Sequence, residues 1–212
     1  MVATVVRTIT MGPTYEPNGM TFDGKNIWLT DSTLDLIIQM DRLGNIISTI
    51  NVAAIDSKPY GITAFDGKHL WWTGIINSNI YQMDKQGNLI RTINVGATDT
   101  NPYGITTDGK HLWWCGTQNG RIHQMDKQGN IIKAINVAPI DTRPFGLTFD
   151  GKDLWWVGYF NKNIHHMDRN GNIIETIAVG AIDTYPFGIT TDGKHLWWCG
   201  ATTRNIYQMT KC

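Results

Sequence analysis

Pro59-Tyr-Gly-Ile-Thr-Ala-Phe-Asp-Gly-Lys-His-Leu-Trp-Trp-Thr-Gly74, continued by Asn79-Ile-Tyr-Gln-Met-Asp-Lys-Gln-Gly-Asn-Leu-Ile-Arg-Thr-Ile93, holds four strand-sized runs separated by turn signals. Gly61-Ile62-Thr63 ends at Asp66-Gly67, where glycine supplies the positive φ that a tight hairpin demands. Leu70-Trp71-Trp72 is the second run and Asn79 to Met83 the third. A turn at Gly87-Asn88 then opens the fourth, Leu89 to Val95. β-Branched and aromatic residues recur about every ten residues, and no helical spacing competes with them.

The unit is repeated along the whole chain. Its opening proline recurs as Pro17, Pro59, Pro102, Pro144 and Pro186, so successive copies are 42, 43, 42 and 42 residues long. The Asp-Gly turn recurs at Asp23, Asp66, Asp108, Asp150 and Asp192. A period near 40 with several short strands per copy predicts a propeller, because one such sheet cannot bury both faces without neighbours. The first segment, Thr4-Val-Val-Arg-Thr-Ile-Thr10, matches the fourth run, and the chain stops just after a third run, Asn205-Ile-Tyr-Gln-Met209. The expected fold is therefore all-β: one five-bladed β-propeller domain over residues 1–212, with blades opening near residues 17, 59, 102, 144 and 186. Residues 1–16 complete the last blade, and closure leaves few free sheet edges.

Composition narrows the partners. Acidic and basic residues balance at 18 each, which gives no basic excess of the kind that marks nucleic-acid binding. No apolar run approaches the roughly 18 residues of a spanning helix, and Met1 to Arg7 lacks the layout of a signal peptide. The expectation is a soluble monomer with no nucleic-acid and no membrane partner. The 3 cysteines are too few for a disulfide framework. Cys115 and Cys199 share one strand position with Thr30, Thr73 and Val157, which predicts a small buried residue there, and Cys212 is terminal.

Trp71-Trp72, Trp113-Trp114, Trp155-Trp156 and Trp197-Trp198 dominate the pattern, with Trp28-Leu29 as the reduced pair. Adjacent strand residues point to opposite faces, so each pair offers one ring to each flanking blade. At roughly 150–250 Å² per ring and about 25 cal/mol/Å², each contributes up to about 4–6 kcal/mol. Thr and Gln side chains are the expected acceptors for the indole N–H groups. Met40, Met83, Met125, Met167 and Met209 recur in the third run and are expected to fill the outer core. His69, His111 and His195 follow the Asp-Gly-Lys turn, one per blade, while His123, His165 and His166 sit in third runs. Neither set converges on one metal ion.

The hairpin turns belong to one face of a propeller and are nearly invariant here; the connections on the other face vary. Before the opening prolines stand Glu16, Lys58, Asn101, Arg143 and Tyr185, and after them Asn18, Tyr60, Tyr103, Phe145 and Phe187. These ten are the candidate ligand-binding residues, forming an aromatic collar at the mouth of the central channel. The connections from strand two to strand three also vary, and Ile75, Ile76, Tyr159 and Phe160 are expected there as exposed apolar residues. Glu16, Asp31 and Asp35 concentrate acid in blade one, Asp31 standing where the other blades have glycine. They are the candidate metal ligands, or an acid–base set; no cofactor is otherwise called for. Asp56, Asp99, Asp141 and Asp183 precede Ser/Thr and Pro as turn-capping aspartates.

The pattern Pro-x-Gly-Ile-x-x-Asp-Gly-x-x-Leu-Trp, followed by Asn-x-Ile and a Gly-Asn turn, resembles the NHL and virginiamycin B lyase-like group of propeller repeats over the whole chain. Asn26-Ile-Trp-Leu-Thr-Asp31 is especially similar to that group. The resemblance implies a blade rather than an activity. Virginiamycin B lyases have more blades and use a histidine and a bound metal on the variable face. No histidine falls in the variable connections here, so none of those residues is carried over. The five-blade count with near-identical copies is similar to the tachylectin type of sugar-binding propeller.

With no nucleophile and base brought together by the pattern, the favoured reading is a non-enzymatic, lectin-like binding domain for a small polar ligand, glycan or peptide. The alternatives are a hydrolase or lyase using the acids of blade one, whose paired carboxylates need to be roughly 5–9.5 Å apart, and a repeat scaffold with no ligand of its own.

Overall fold

A computed structural model describes residues 3–64 and 67–211. Blade one is β2 (Pro17–Phe22), β3 (Ile27–Asp31), β4 (Leu36–Met40) and β5 (Ile46–Asn51), preceded in the chain by β1 (Val5–Thr10). Blade two is β6 (Pro59–Ala64), β7 (His69–Gly74), β8 (Asn79–Asp84) and β9 (Leu89–Asn94). Blade three is β10 (Pro102–Thr107), β11 (Leu112–Gly116), β12 (Arg121–Met125) and β13 (Ile131–Asn136). Blade four is β14 (Pro144–Phe149), β15 (Leu154–Gly158), β16 (Asn163–Met167) and β17 (Ile173–Ala178). Blade five is β18 (Pro186–Thr191), β19 (His195–Gly200), β20 (Asn205–Thr210) and β1. The antiparallel pairing of β1 with β20 runs from Val5↔Met209 to Thr10↔Asn205, so the chain closes its own ring as the repeat predicts.

The innermost strands meet at a ring of glycines. A Cβ on Gly19, Gly61, Gly104, Gly146 or Gly188 would fall inside 3.0 Å of the carbonyl oxygen of Tyr60, Tyr103, Phe145, Phe187 or Asn18, each on the next blade. The last of these contacts joins blade five to blade one. A small residue on the second strand ties the same junction together in blades one, two and five. The Thr73 hydroxyl accepts from Gly61 N–H (2.7 Å) and donates to Tyr103 C=O (2.6 Å). Thr30 repeats this between Gly19 and Tyr60, and the Cys199 thiol spans Gly188 and Asn18 at 3.2 Å on either side. The position is small and buried, as expected, but it is also a hydrogen-bonded tie.

Val157 occupies that position in blade four and offers neither donor nor acceptor. Val157→Thr would place a hydroxyl between Gly146 N–H and Phe187 C=O. We expect a gain of about 1 kcal/mol and a melting point about 2–4 °C higher. Calorimetry showing no gain would mean that blade four does not have the spacing of its sisters.

Five apolar clusters fill the junctions, each combining the first Trp of one blade with the second ring, or Leu29, of the next. Trp28 packs with Trp72, Trp71 with Trp114, Trp113 with Trp156, Trp155 with Trp198, and Trp197 with Leu29. The recurrent methionines lie in the same clusters, all buried. The indole partners differ from the expected Thr and Gln. Trp28, Trp113, Trp155 and Trp197 donate to Asp23, Asp108, Asp150 and Asp192, the hairpin aspartates five residues upstream, at 2.9–3.1 Å. The second indoles, Trp72, Trp114, Trp156 and Trp198, have no acceptor among the described residues. Each instead stacks on Tyr81, His123, His165 or Tyr207, with centroids 4.3–4.4 Å apart. Cys212 and the aspartate of the Asp66-Gly67 turn lie outside the described residues.

Candidate ligand-binding face

Ion pairs show which connections share a rim. Lys85 Nζ lies 2.6 Å from Asp23, and Lys211, Arg169 and Arg42 reach Asp150, Asp108 and Asp192 at 3.6–3.8 Å. Each joins the region of one blade's second hairpin to the Asp-Gly hairpin of the blade before it. Burial alone would raise the Asp23 and Asp150 carboxyls, but the backbone amides, indole and ammonium around them win and hold both at about 2. These contacts tie neighbouring blades along the hairpin rim. The opposite rim carries the variable connections.

On that face a buried aspartate stitches two connections together in each of four blades. Asp99 accepts from the amides of Asn101 (2.9 Å) and Asn119 (3.0 Å), and Asp141 from those of Arg143 (2.8 Å) and Asn161 (2.7 Å). Asp183 does the same for Tyr185 and Thr203, both at 2.8 Å, and Asp56 binds the Asn77 amide and the Tyr81 hydroxyl. The capping expectation holds for Asp99, Asp141 and Asp183, with a longer reach than a local turn, whereas the Lys58 amide beside Asp56 is bonded by Asp35.

Blade one solves the same problem from the other side. Thr14 replaces the loop aspartate there, and Asp31 replaces the glycine of the other blades. The Asp31 carboxylate accepts from the amides of Glu16 (2.8 Å), Thr33 and Leu34 (both 2.9 Å), the counterparts of the amides that Asp99 holds. In the sister blades a Cβ on Gly74 or Gly116 would strike Asp56 or Asp99 at 2.5–2.6 Å, so each blade has room for only one carboxylate. Asp31 is wholly buried. Asp35 is turned to the Lys58 amide (2.8 Å), and Glu16 accepts from the Thr33 hydroxyl. Among the described residues no three His, Cys, Asp or Glu side chains are grouped as a metal site needs, Glu16, Asp31 and Asp35 included. The proposed acidic set is thus corrected to a structural carboxylate with two separately engaged neighbours.

The collar residues do come together. Asn18, Tyr60, Tyr103, Phe145 and Phe187 line the axial cavity. Tyr103 and Phe145 stack at 4.4 Å and 5°, Tyr60 meets Tyr103 at 4.4 Å, and Phe145 meets Phe187 at 4.9 Å. The enclosed space is about 10 Å³, room for about one water. The collar expected at the channel mouth therefore narrows the channel to an aromatic floor. Burial, then the nearby Tyr60, holds the Tyr103 phenol protonated well above its usual range.

The floor continues outward through Tyr159, which lies 4.6 Å from Phe145, 5.5 Å from Tyr185 and 5.3 Å from Phe160. Phe160, Ile76 and Tyr185 are exposed, whereas Ile75 and Tyr159 are only half-exposed. Two recesses flank this strip. One, of about 330 Å³, is lined by Glu16, Tyr159, Tyr185, Phe187, Ala201 and Thr202. The other, of about 120 Å³, is lined by Asn101, Tyr103, Thr117, Gln118, Arg143 and Phe145. Lys58 is exposed outside both. Thr117, Gln118, Ala201 and Thr202 are not among the residues singled out from sequence, whereas Tyr159 is, as an apolar residue of the variable connection. Their signal was the variability of the connection between strands two and three, since the recesses pair it with the proline-flanking positions.

The molecule is a closed five-bladed propeller whose hairpin rim is uniform and whose opposite rim carries an aromatic strip with two recesses. It belongs to the virginiamycin B lyase family, whose model matches residues 6–211. Glutaminyl cyclase of Myxococcus xanthus superposes with a TM-score of 0.79 at 12% identity, over 98% of this chain and 95% of that one. Virginiamycin B lyase of Staphylococcus aureus superposes at 0.63 and 17% identity, over 99% and 100%. A catalytically inactive histidine-to-alanine variant of that lyase, with quinupristin, gives 0.61 at 24% identity, over 95% of this chain and 68% of that one. These likenesses bear on the fold. No curated protein matches the chain. No helix among the described residues is long and apolar enough to cross a membrane.

Proposed function

We propose that this propeller is a binding module whose variable face takes a small ligand with a flat ring, the ring lying on the Phe145–Tyr159–Tyr185 strip. The observation that carries the reading is the 330 Å³ recess at the end of a continuous aromatic surface. Its size is at the lower end of small-molecule sites, which combine apolar walls with a few polar groups. A glycan ring, an aromatic compound or a peptide side chain each present such a face. The structure of a family lyase with quinupristin is in keeping with recognition of a small molecule by a related propeller. The hydrolase or lyase alternative loses support, because the Asp31 carboxylate is already engaged by three amides and cannot act as a free base.

A thermal-shift screen of glycans, short peptides and aromatic compounds tests the reading. We expect one class to raise the melting point, with the rise lost in Tyr185→Ala and kept in Lys110→Ala on the opposite rim. A rise that ignores Tyr185 and depends on Lys110 would move the site to the hairpin face and end the proposal.

A further inference from the structure

The 120 Å³ recess differs in chemistry from the rest of the face. Its lining is mainly polar: the stacked Tyr103 and Phe145 share it with Thr117, the side-chain amides of Asn101 and Gln118 and the guanidinium of Arg143. None of these three polar side chains has a hydrogen-bond or ion-pair partner among the described residues. The backbone of Asn101 is engaged, by Asp99, while its side chain is not. The Arg143 Cζ lies 5.0 Å from the Phe160 ring centroid, a cation–π arrangement that holds the cation at the edge of the aromatic strip. Asp141, the buried carboxylate of the same connection, bonds the Arg143 amide rather than its guanidinium.

The guanidinium carries only donors, and the two amides carry one acceptor oxygen each beside their NH2 groups, so the recess holds N–H donors in excess. A guanidinium fork binds planar or tetrahedral oxyanions through paired N–H···O bonds, which a single ammonium cannot reproduce. The geometry points to an oxyanion subsite at Arg143: the ligand of this face carries a carboxylate or phosphate group, seated among Asn101, Gln118 and Arg143, with its apolar body against Phe145 and Tyr159. This rests on the proposed aromatic binding face and adds to it the charge class of the ligand.

The probes are benzoate, phenyl phosphate and the neutral benzamide, titrated at millimolar concentration into ¹⁵N-labelled protein. We expect both anions to shift the amides of Asn101, Gln118 and Arg143, and to bind more weakly as salt is added. Arg143→Ala should weaken both at least about tenfold, and Arg143→Lys should recover only part of that loss. Whichever anion binds better separates a carboxylate from a phosphate ligand. The inference is overturned if benzamide matches benzoate, if Arg143→Ala leaves the anions unaffected, or if no probe perturbs those amides. Benzamide and benzoate binding equally, with both lost in Tyr185→Ala, would leave the aromatic face standing while removing the oxyanion subsite.

Discussion

Gly104→Ala should abolish the cooperative melting of the propeller. A methyl group there would lie 2.7 Å from Leu147 N and 2.9 Å from Gly146 C, and closer still to Phe145 O. All of these are backbone atoms of the next blade, so no side chain can swing aside. Overpacking in an adaptable core costs about 1–3 kcal/mol. Here the rigid partner and the closed ring push the loss beyond about 4 kcal/mol, a large part of the 5–15 kcal/mol that holds a domain together. Gly109→Ala is the control. Its Cβ would meet nothing within 4 Å, and only its φ of +91° is unfavourable, so it should lose about 1–2 kcal/mol. Urea unfolding followed by circular dichroism compares the two. A Gly104→Ala protein as stable as the Gly109→Ala protein would show that the blades separate at the axis without penalty.

The second large effect is in acid. His123 and His165 are 2% exposed and stack on Trp114 and Trp156. Burial pushes both imidazoles from 6.5 down to about 4, and the nearby Asp99 and Asp141 only partly oppose it. The unfolded chain therefore takes up protons first as pH falls. The stability is complete above about pH 6.5 and is lost down to about pH 4, at up to about 3 kcal/mol for each ring. Asp23 and Asp150, depressed from 3.8 to about 2, contribute only below that window. Tyr81 and Tyr207 hold the equivalent places in blades two and five. A His123→Tyr/His165→Tyr protein should thus keep a flat melting point between pH 6.5 and 4, where the parent falls steeply. Parallel curves for the two proteins would refute the assignment.

Blade number, ring closure and the interblade use of the Trp pairs were legible in the sequence because repetition carries them. Five prolines, the split last copy and alternation along a strand are independent of any one side chain. What escaped notice depends on contacts between copies. The indole acceptors lie five residues upstream on the same hairpin, a fixed Asp-to-Trp spacing that had been read only as a turn. The repeat places the collar residues together at the axis, yet whether five residues leave a channel or fill it depends on how closely the inner strands approach, and the glycines set that distance. Asp31 looked like an odd acid when compared with glycine alone. Compared together with Thr14, it becomes the missing member of a conserved set of loop-stitching carboxylates in the other blades. The polar recess joins residues of blades three and four that no single repeat displays.

The carboxylate exchange in blade one also constrains how such a ring can diversify. A chain acquiring Asp31 before losing its loop aspartate would have had two negative groups competing for one set of amides. The opposite order would have left those buried amides unpaired, at about 1–3 kcal/mol apiece. Either intermediate is penalised, so the two substitutions are epistatic, and recombination that shuffles single loops between blades would break the pair. Duplication preserves it only when the copied unit carries the connection ahead of the opening proline, Thr14 included, together with the second strand.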